Sequence, residues 1–172
     1  MSATKENIIT LPNKHLRQRS QRVGIVTDAI RELITDMEAA VHDWDSSRDH
    51  EVTVALAAVQ IDKLYRVVIV REDFDHQTPA QYSALINPEI VKYEGEIERD
   101  YEGCLSIKSI YGYVPRHSKV RVKALDINGK PIKFSATGFL ARVIQHEVDH
   151  LDGILFTDLV SDKSTLYEEI SY

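Results

Sequence analysis

The sequence predicts an α+β fold, with small antiparallel sheets packed around a central helix. Three observations carry that expectation. Two segments repeat apolar residues at helical spacing, several short segments are apolar and β-branched, and an Asn-Gly pair separates two alternating runs. With 172 residues, 43% of them apolar, the chain can bury one core, so residues 1–172 are expected to form a single domain.

The elements follow in order. Thr27 and Asp28 are N-cap residues for a first helix that places Ile30, Leu33, Ile34, Met37 and Val41 on one face. That helix is expected to end near His42 and Asp43, and the polar residues 45–50 to form a loop. Residues 52–60 are apolar and β-rich at their start, residues 66–70 read as a buried strand, and residues 72–80 as an exposed loop. Residues 83–88 read as a short strand closed by Pro88. Residues 119–126 and 130–134 alternate around Asn128-Gly129, the favoured pair of a tight hairpin turn. A second helix follows Thr137, with Phe139, Leu140, Val143, Ile144 and Leu151 on its apolar face.

Charge and cysteine usage exclude several classes. There are 21 basic and 27 acidic side chains, a formal charge of −6, so no direct nucleic-acid contact is expected. The single cysteine, Cys104, excludes an internal disulfide and a zinc ribbon, and points to a reducing, intracellular setting. The first residues have no signal-peptide pattern, and no apolar run reaches membrane-spanning length, so no membrane association is expected. The locally basic residues 15–22 are read as a solvated surface.

The strongest chemical signal is HEVDH at 146–150. Two histidines four apart on a helix point to one side and can hold one metal ion, while Glu147 lies beside that ion, placed to accept a proton. The other reading is a pair of hydrogen-bonded core histidines. A catalytic metal wants a third ligand, for which Cys104, Asp152 and the remaining histidines are candidates. Cys104 sits after Gly103, which allows close backbone approach. The lone thiol can equally be a small buried hydrophobe, or one half of a Cys–His nucleophile couple.

EGCLS at 102–106 and QHEVDHLDG at 145–153 resemble the second and third signature motifs of the peptide deformylase family. TVALAAVQ at 53–60 stands where that family has GxGxAAxQ. The resemblance extends from about residue 8 to 160 and implies a deformylase-like fold around a metal-binding helix. It implies that Cys104, His146 and His150 bind one divalent metal, Fe(II) first, with Zn, Ni or Co as alternatives. It implies that Glu147 is the general acid/base, and that Gln60 and the backbone N–H of Leu105 stabilise the oxyanion. The implied reaction is hydrolysis of the N-formyl group of formylmethionyl peptides, releasing formate. The implied partners are formylated peptide N-termini, aligned along Val54 and Ala55, with Gly103, Arg142 and Val143 also touching substrate. The implied compartment is the cytoplasm of a bacterial or bacterial-like cell, with an organelle as the alternative.

The chain departs from the family pattern at four places. Thr53 and Ala55 replace the first-motif glycines, which puts substrate alignment in question. Arg142 stands where the family usually has an apolar residue lining the methionine pocket. It is expected to turn outward onto Asp149 or another acid, to narrow that pocket, or to bind a polar group of a different substrate. Lys108 replaces a common Pro at the surface. The acidic C-terminus argues against the ribosome docking seen with basic terminal helices. Three competing functions remain at this level: a deformylase-like hydrolase with another N-formyl or N-acyl substrate, a non-catalytic peptide binder, and a zincin-type endopeptidase.

Overall fold

The structure is a computed structural model that describes residues 2–47, 52–73 and 80–168. Strands β1 (Ala55–Ala57), β2 (Val67–Arg71), β3 (Tyr82–Cys104), β4 (Ile107–Leu125) and β5 (Pro131–Thr137) form an antiparallel sheet in chain order. Strand β6 (Tyr167–Glu168) pairs with β4 near Ile110 and Tyr111. The helices are α1 (Asp28–Ser46), α2 (Gly138–Leu151) and the short α3 (Phe156–Leu159). The expected α+β architecture is present.

The near-continuous apolar run of β2 has a direct cause: both of its faces are covered. Val67 and Ile69 join Leu56 and Ile86 in a cluster with Leu33, Ile34 and Met37 of α1. Val68 and Val70 join Ala55, Ala57 and Ala124 in a second cluster with Val143 and Leu151 of α2. The sheet therefore lies between the two helices, and each buried Val or Leu contributes about 1.5–3 kcal/mol. The far half of β4 packs Val114 against Leu155, Phe156 and Val160, so the segment around α3 covers that end.

Four expectations are corrected. Helix α1 does not stop at His42–Asp43 but continues to Ser46, because Trp44 is buried in the core and Asp45 has a partner on the next segment. Pro88 does not close a strand. Asn87 adopts a left-handed conformation (φ 52°) at a bulge, and its side chain bonds both backbone groups of Val23 at 2.8 Å, while β3 runs on to Cys104. The hairpin between β4 and β5 is not a two-residue Asn-Gly turn. The Gly129 N–H bonds the Asp126 carbonyl at 2.9 Å, and Gly129 alone takes the left-handed conformation (φ 78°). Phe139 is not a core residue; it is 51% exposed. Of the expected loops, residues 48–50 and 74–79 lie outside the described residues.

Candidate active site

The long hairpin of β3 and β4 carries the thiol to the helix that carries the histidines. β3 ends at Cys104 and β4 resumes at Ile107, so residues 105–106 form the turn, with Cys104 paired across it to Ile107. Gly103 is needed for close approach: a Cβ there would meet the Tyr111 ring at 2.4 Å. One turn apart on α2, His146 and His150 face this turn. The His150 Nε2 lies 3.2 Å from the Cys104 Sγ, and one donor atom from each of the three residues lies within 4.8 Å of the others. A tetrahedral ion with a thiolate at about 2.3 Å and imidazoles at about 2.1 Å requires spacings of this order. Among the described residues, this is the His, Cys and carboxylate group able to hold a metal ion.

The electrostatics favour a cation at that point. Burial alone would lower the His146 imidazole, but its contacts with Cys104 and Glu102 raise it well above the ordinary value, so the surroundings attract positive charge there. Burial holds the His150 imidazole well below its ordinary value, in the neutral form a ligand needs. The other face of His146 is fixed. Its Nδ1 is 2.9 Å from the Glu102 Oε2, which leaves Nε2 for the thiol side. Glu102 also takes a forked pair of bonds from Arg116, at 2.9 and 3.0 Å, and Arg116 bonds Asp149 in turn. Burial would lift the Glu102 carboxyl, but the His146 and Arg116 hydrogen bonds outweigh it and hold the group down to about 2.

Beside this group lies a cavity of about 380 Å³. Glu147 lines it, and its Oε2 is buried without a hydrogen-bond partner among the described residues. Burial pushes this carboxyl up to about 7, despite the opposing charge of His146. Gln60 reaches the same place from a 3₁₀ turn, Ala58–Ile61. Its Oε1 accepts the Ala57 N–H at 2.9 Å, which aims Nε2 at the Cys104 Sγ (3.6 Å) and the Ser106 Oγ (3.2 Å). Val54, Ala55, Gly103, Leu105 and Val143 also line the cavity, together with Cys104, Arg142 and His146, whereas His150 is buried and does not line it, and the alternative ligand Asp152 instead accepts a bond from Arg66 at 2.6 Å.

Two departures from the family pattern acquire physical explanations. Thr53 and Ala55 do not have positive φ, so neither position demands glycine. Thr53 instead bonds the Asp45 carboxylate through its backbone N–H (2.9 Å) and its hydroxyl (2.7 Å), tying the first motif to α1. Arg142 lines the cavity, yet its guanidinium does not turn outward, and Asp149 is held by Arg116 instead. Its Nη1 bonds the Glu102 Oε1 and the Val114 carbonyl, both at 2.8 Å, and its Nη2 bonds the Glu98 carbonyl at 2.8 Å. The roles of Glu102 and Arg116 were not read from the sequence. One signal was there: Arg142, Gln145 and Asp149 follow a three-and-four spacing, which marks a polar stripe on α2 distinct from the histidine face.

Comparison with known proteins finds a family and solved structures similar to this chain. The sequence pattern of the polypeptide deformylase family matches residues 5–165. A peptide deformylase of Thermomicrobium roseum is 43% identical over 162 residues, covering 92% of this chain and 88% of its own length. Peptide deformylase 1 of Pseudomonas syringae pv. tomato is 41% identical over 156 residues, with 91% and 87% covered. A solved peptide deformylase of Synechococcus elongatus, in complex with actinonin, superposes with a TM-score of 0.81 at 35% identity, covering 92% of this chain and 80% of that one. A Met-Ala-Ser-bound peptide deformylase of Acinetobacter baumannii superposes with a TM-score of 0.78 at 28% identity, covering 93% of this chain and 99% of that one.

Proposed function

The chain belongs to the peptide deformylase family, metal-dependent enzymes that remove N-formyl groups, and we propose a residue-by-residue account of how it does so. The observation that carries the account is the convergence of the Cys104, His146 and His150 donor atoms to within 4.8 Å, beside a buried Glu147 oxygen. These three residues would hold one divalent cation. When bound, such a cation polarises a carbonyl and lowers the pKa of water at neutral pH. The thiolate and two imidazoles suit Fe(II), and also Zn, Ni or Co. We assign Fe(II) on the family resemblance.

Glu147 is the general acid/base. A carboxyl near 7 is divided between its two protonation states at neutral pH, so it can accept a proton from the attacking water and return it to the leaving amine. Water adds to the formyl carbon, the C–N bond breaks, and formate and a free N-terminal amine are released. The Gln60 Nε2, aimed by its Ala57 bond, and the Leu105 N–H receive the charge that develops on the formyl oxygen. Val54 and Ala55 offer a strand edge to the substrate backbone. Gly103 and Val143 flank its first side chain. The substrate is the formylated N-terminus of a nascent peptide. The Met-Ala-Ser bound to the Acinetobacter relative has the chemistry of the deformylated product of such a peptide. The working compartment in this account is the bacterial-type cytoplasm. Among the described residues, no helix is long and apolar enough to cross a membrane.

The test is anaerobic purification, Co(II) loading and timed formate release from formyl-Met-Ala-Ser. Wild type turns over, while Glu147→Gln loses about 10²–10⁴-fold in kcat and keeps its metal. A metal-loaded wild type that releases no formate refutes the account.

A further inference from the structure

Arg142 sits at the crossing of three elements. It is on α2, one turn before His146, and only 7% exposed. Its Nη1 bonds the carbonyl of Val114 on β4 and the carboxylate of Glu102 on β3, and its Nη2 bonds the carbonyl of Glu98 on β3. A longer contact of 3.4 Å reaches the Asp100 carbonyl. One planar guanidinium thus spans both strands of the hairpin whose turn bears Cys104. Lys could not reproduce that geometry, because a single ammonium has no fork to bridge acceptors lying in different directions.

The hairpin needs such a fastening. From Val91 to Tyr101, β3 is mostly exposed, so little apolar burial holds this stretch in place. The thiol and the histidines lie on different elements, and their mutual distances depend on how the hairpin is seated against α2. Besides the two histidines themselves, three residues of α2 make the connection. Arg142 bonds Glu98, Glu102 and Val114. Gln145 accepts the His117 N–H at 3.1 Å and donates to the His117 carbonyl at 2.8 Å. Asp149 bonds Arg116. Of the three, only Arg142 reaches the last turn of β3 before Cys104, and only Arg142 touches the carboxylate that orients His146.

We infer that Arg142 is a positioning residue for the metal-ligand set: it seats the Cys104-bearing hairpin against the histidine-bearing helix and fixes Glu102 on His146. The inference rests on the ligand assignment proposed above. Its consequence is that the position acts on metal affinity and kcat, not on recognition of the substrate's first side chain.

The test compares wild type, Arg142→Met and Arg142→Lys as full chains. Three readouts are taken: Co(II) affinity with the visible spectrum of the bound ion, kcat and KM for formyl-Met-Ala-Ser, and amide hydrogen exchange across residues 98–104 without metal. Both variants are expected to bind Co(II) about 10–100-fold more weakly, the range typical of lost support to a ligand. Both are expected to show an altered cobalt spectrum, a reduced kcat, a KM within about twofold of wild type, and faster exchange in 98–104. Folded variants with wild-type cobalt affinity and spectrum overturn the inference, as does a change confined to KM. Loss of folding in both variants also overturns it, because Arg142 then serves the stability of the whole domain. Full recovery by Lys would show that charge alone suffices and overturns it as well. Wild type that takes up no cobalt brings down the ligand assignment itself, a result distinct from unchanged variants of a metal-binding wild type.

Discussion

Glu102 meets His146, Arg116 and Arg142 with two carboxylate oxygens, all at 3.0 Å or less and almost wholly out of solvent. Buried charge of this kind is stable only while every partner is present. Replacing Glu102 by Gln leaves Arg142 without an anion and Arg116 with Asp149 alone, and a stability loss of about 3–5 kcal/mol is expected from urea unfolding. A loss below about 1 kcal/mol would show that the arginines find other acceptors. The same residue marks the limit of what the sequence discloses. The helical spacing of His146, Glu147 and His150 marked a possible metal motif in the sequence, whereas Cys104 and Gln60 were assigned roles only through the family resemblance of the segments that contain them. Glu102 stood inside such a motif without a visible role, since its partners lie 14, 40 and 44 residues away and are chosen by the fold. The outward turn expected of Arg142 fails for a related reason. An arginine on a helix beside a histidine face is expected to seek solvent, unless the neighbouring hairpin presents inward-facing carbonyls.

At the level of elements, the junction of α1 with the first motif explains a departure that looked like a defect. Glycine at position 53 would give a flexible approach to β1. Threonine gives a hydroxyl for Asp45, at the end of a helix that extends further than its apolar pattern shows. Restoring glycine by Thr53→Gly removes that bond and adds freedom to the unfolded chain, for a predicted loss of about 1–2 kcal/mol in urea unfolding. No stability change would mean that Asp45 holds the junction through the backbone N–H alone. The helices and β2 were legible because burial imprints a period, or fills every position when both faces are covered. The 23 residues of β3 were not. Its outer half is exposed on both sides, so hydropathy carries no alternation there, and its integrity comes from pairing with β4 and from the polar stripe on α2. The hairpin turn was recognised by its residues but assigned the wrong loop length, because Gly129 serves equally well at the left-handed position of a longer turn.

For the molecule as a whole, the ligand set joins elements distant in the chain, with Cys104 at the tip of one hairpin and both histidines on the helix after the next. A cation that binds this arrangement and not the unfolded chain must stabilise the fold by mass action. At a free concentration a thousand times its Kd, the gain is about 4 kcal/mol. For a chain of this size each kcal/mol moves Tm by about 2–4 °C, so Co(II) is expected to raise Tm by about 8–16 °C and a chelator to reverse the shift. The control is Cys104→Ala, which removes one of the three ligands while leaving the core clusters on both sides of the sheet intact. Its metal-free Tm should stay near that of the wild type, and its cobalt-dependent shift should largely vanish. Calorimetry with and without cobalt measures both quantities on the same samples. A cobalt shift that survives in Cys104→Ala would place the stabilising ion elsewhere, since two imidazoles on one helix turn cannot bridge the hairpin to α2. A wild type indifferent to cobalt would mean that the converging donors, although within 4.8 Å of one another, do not form a site.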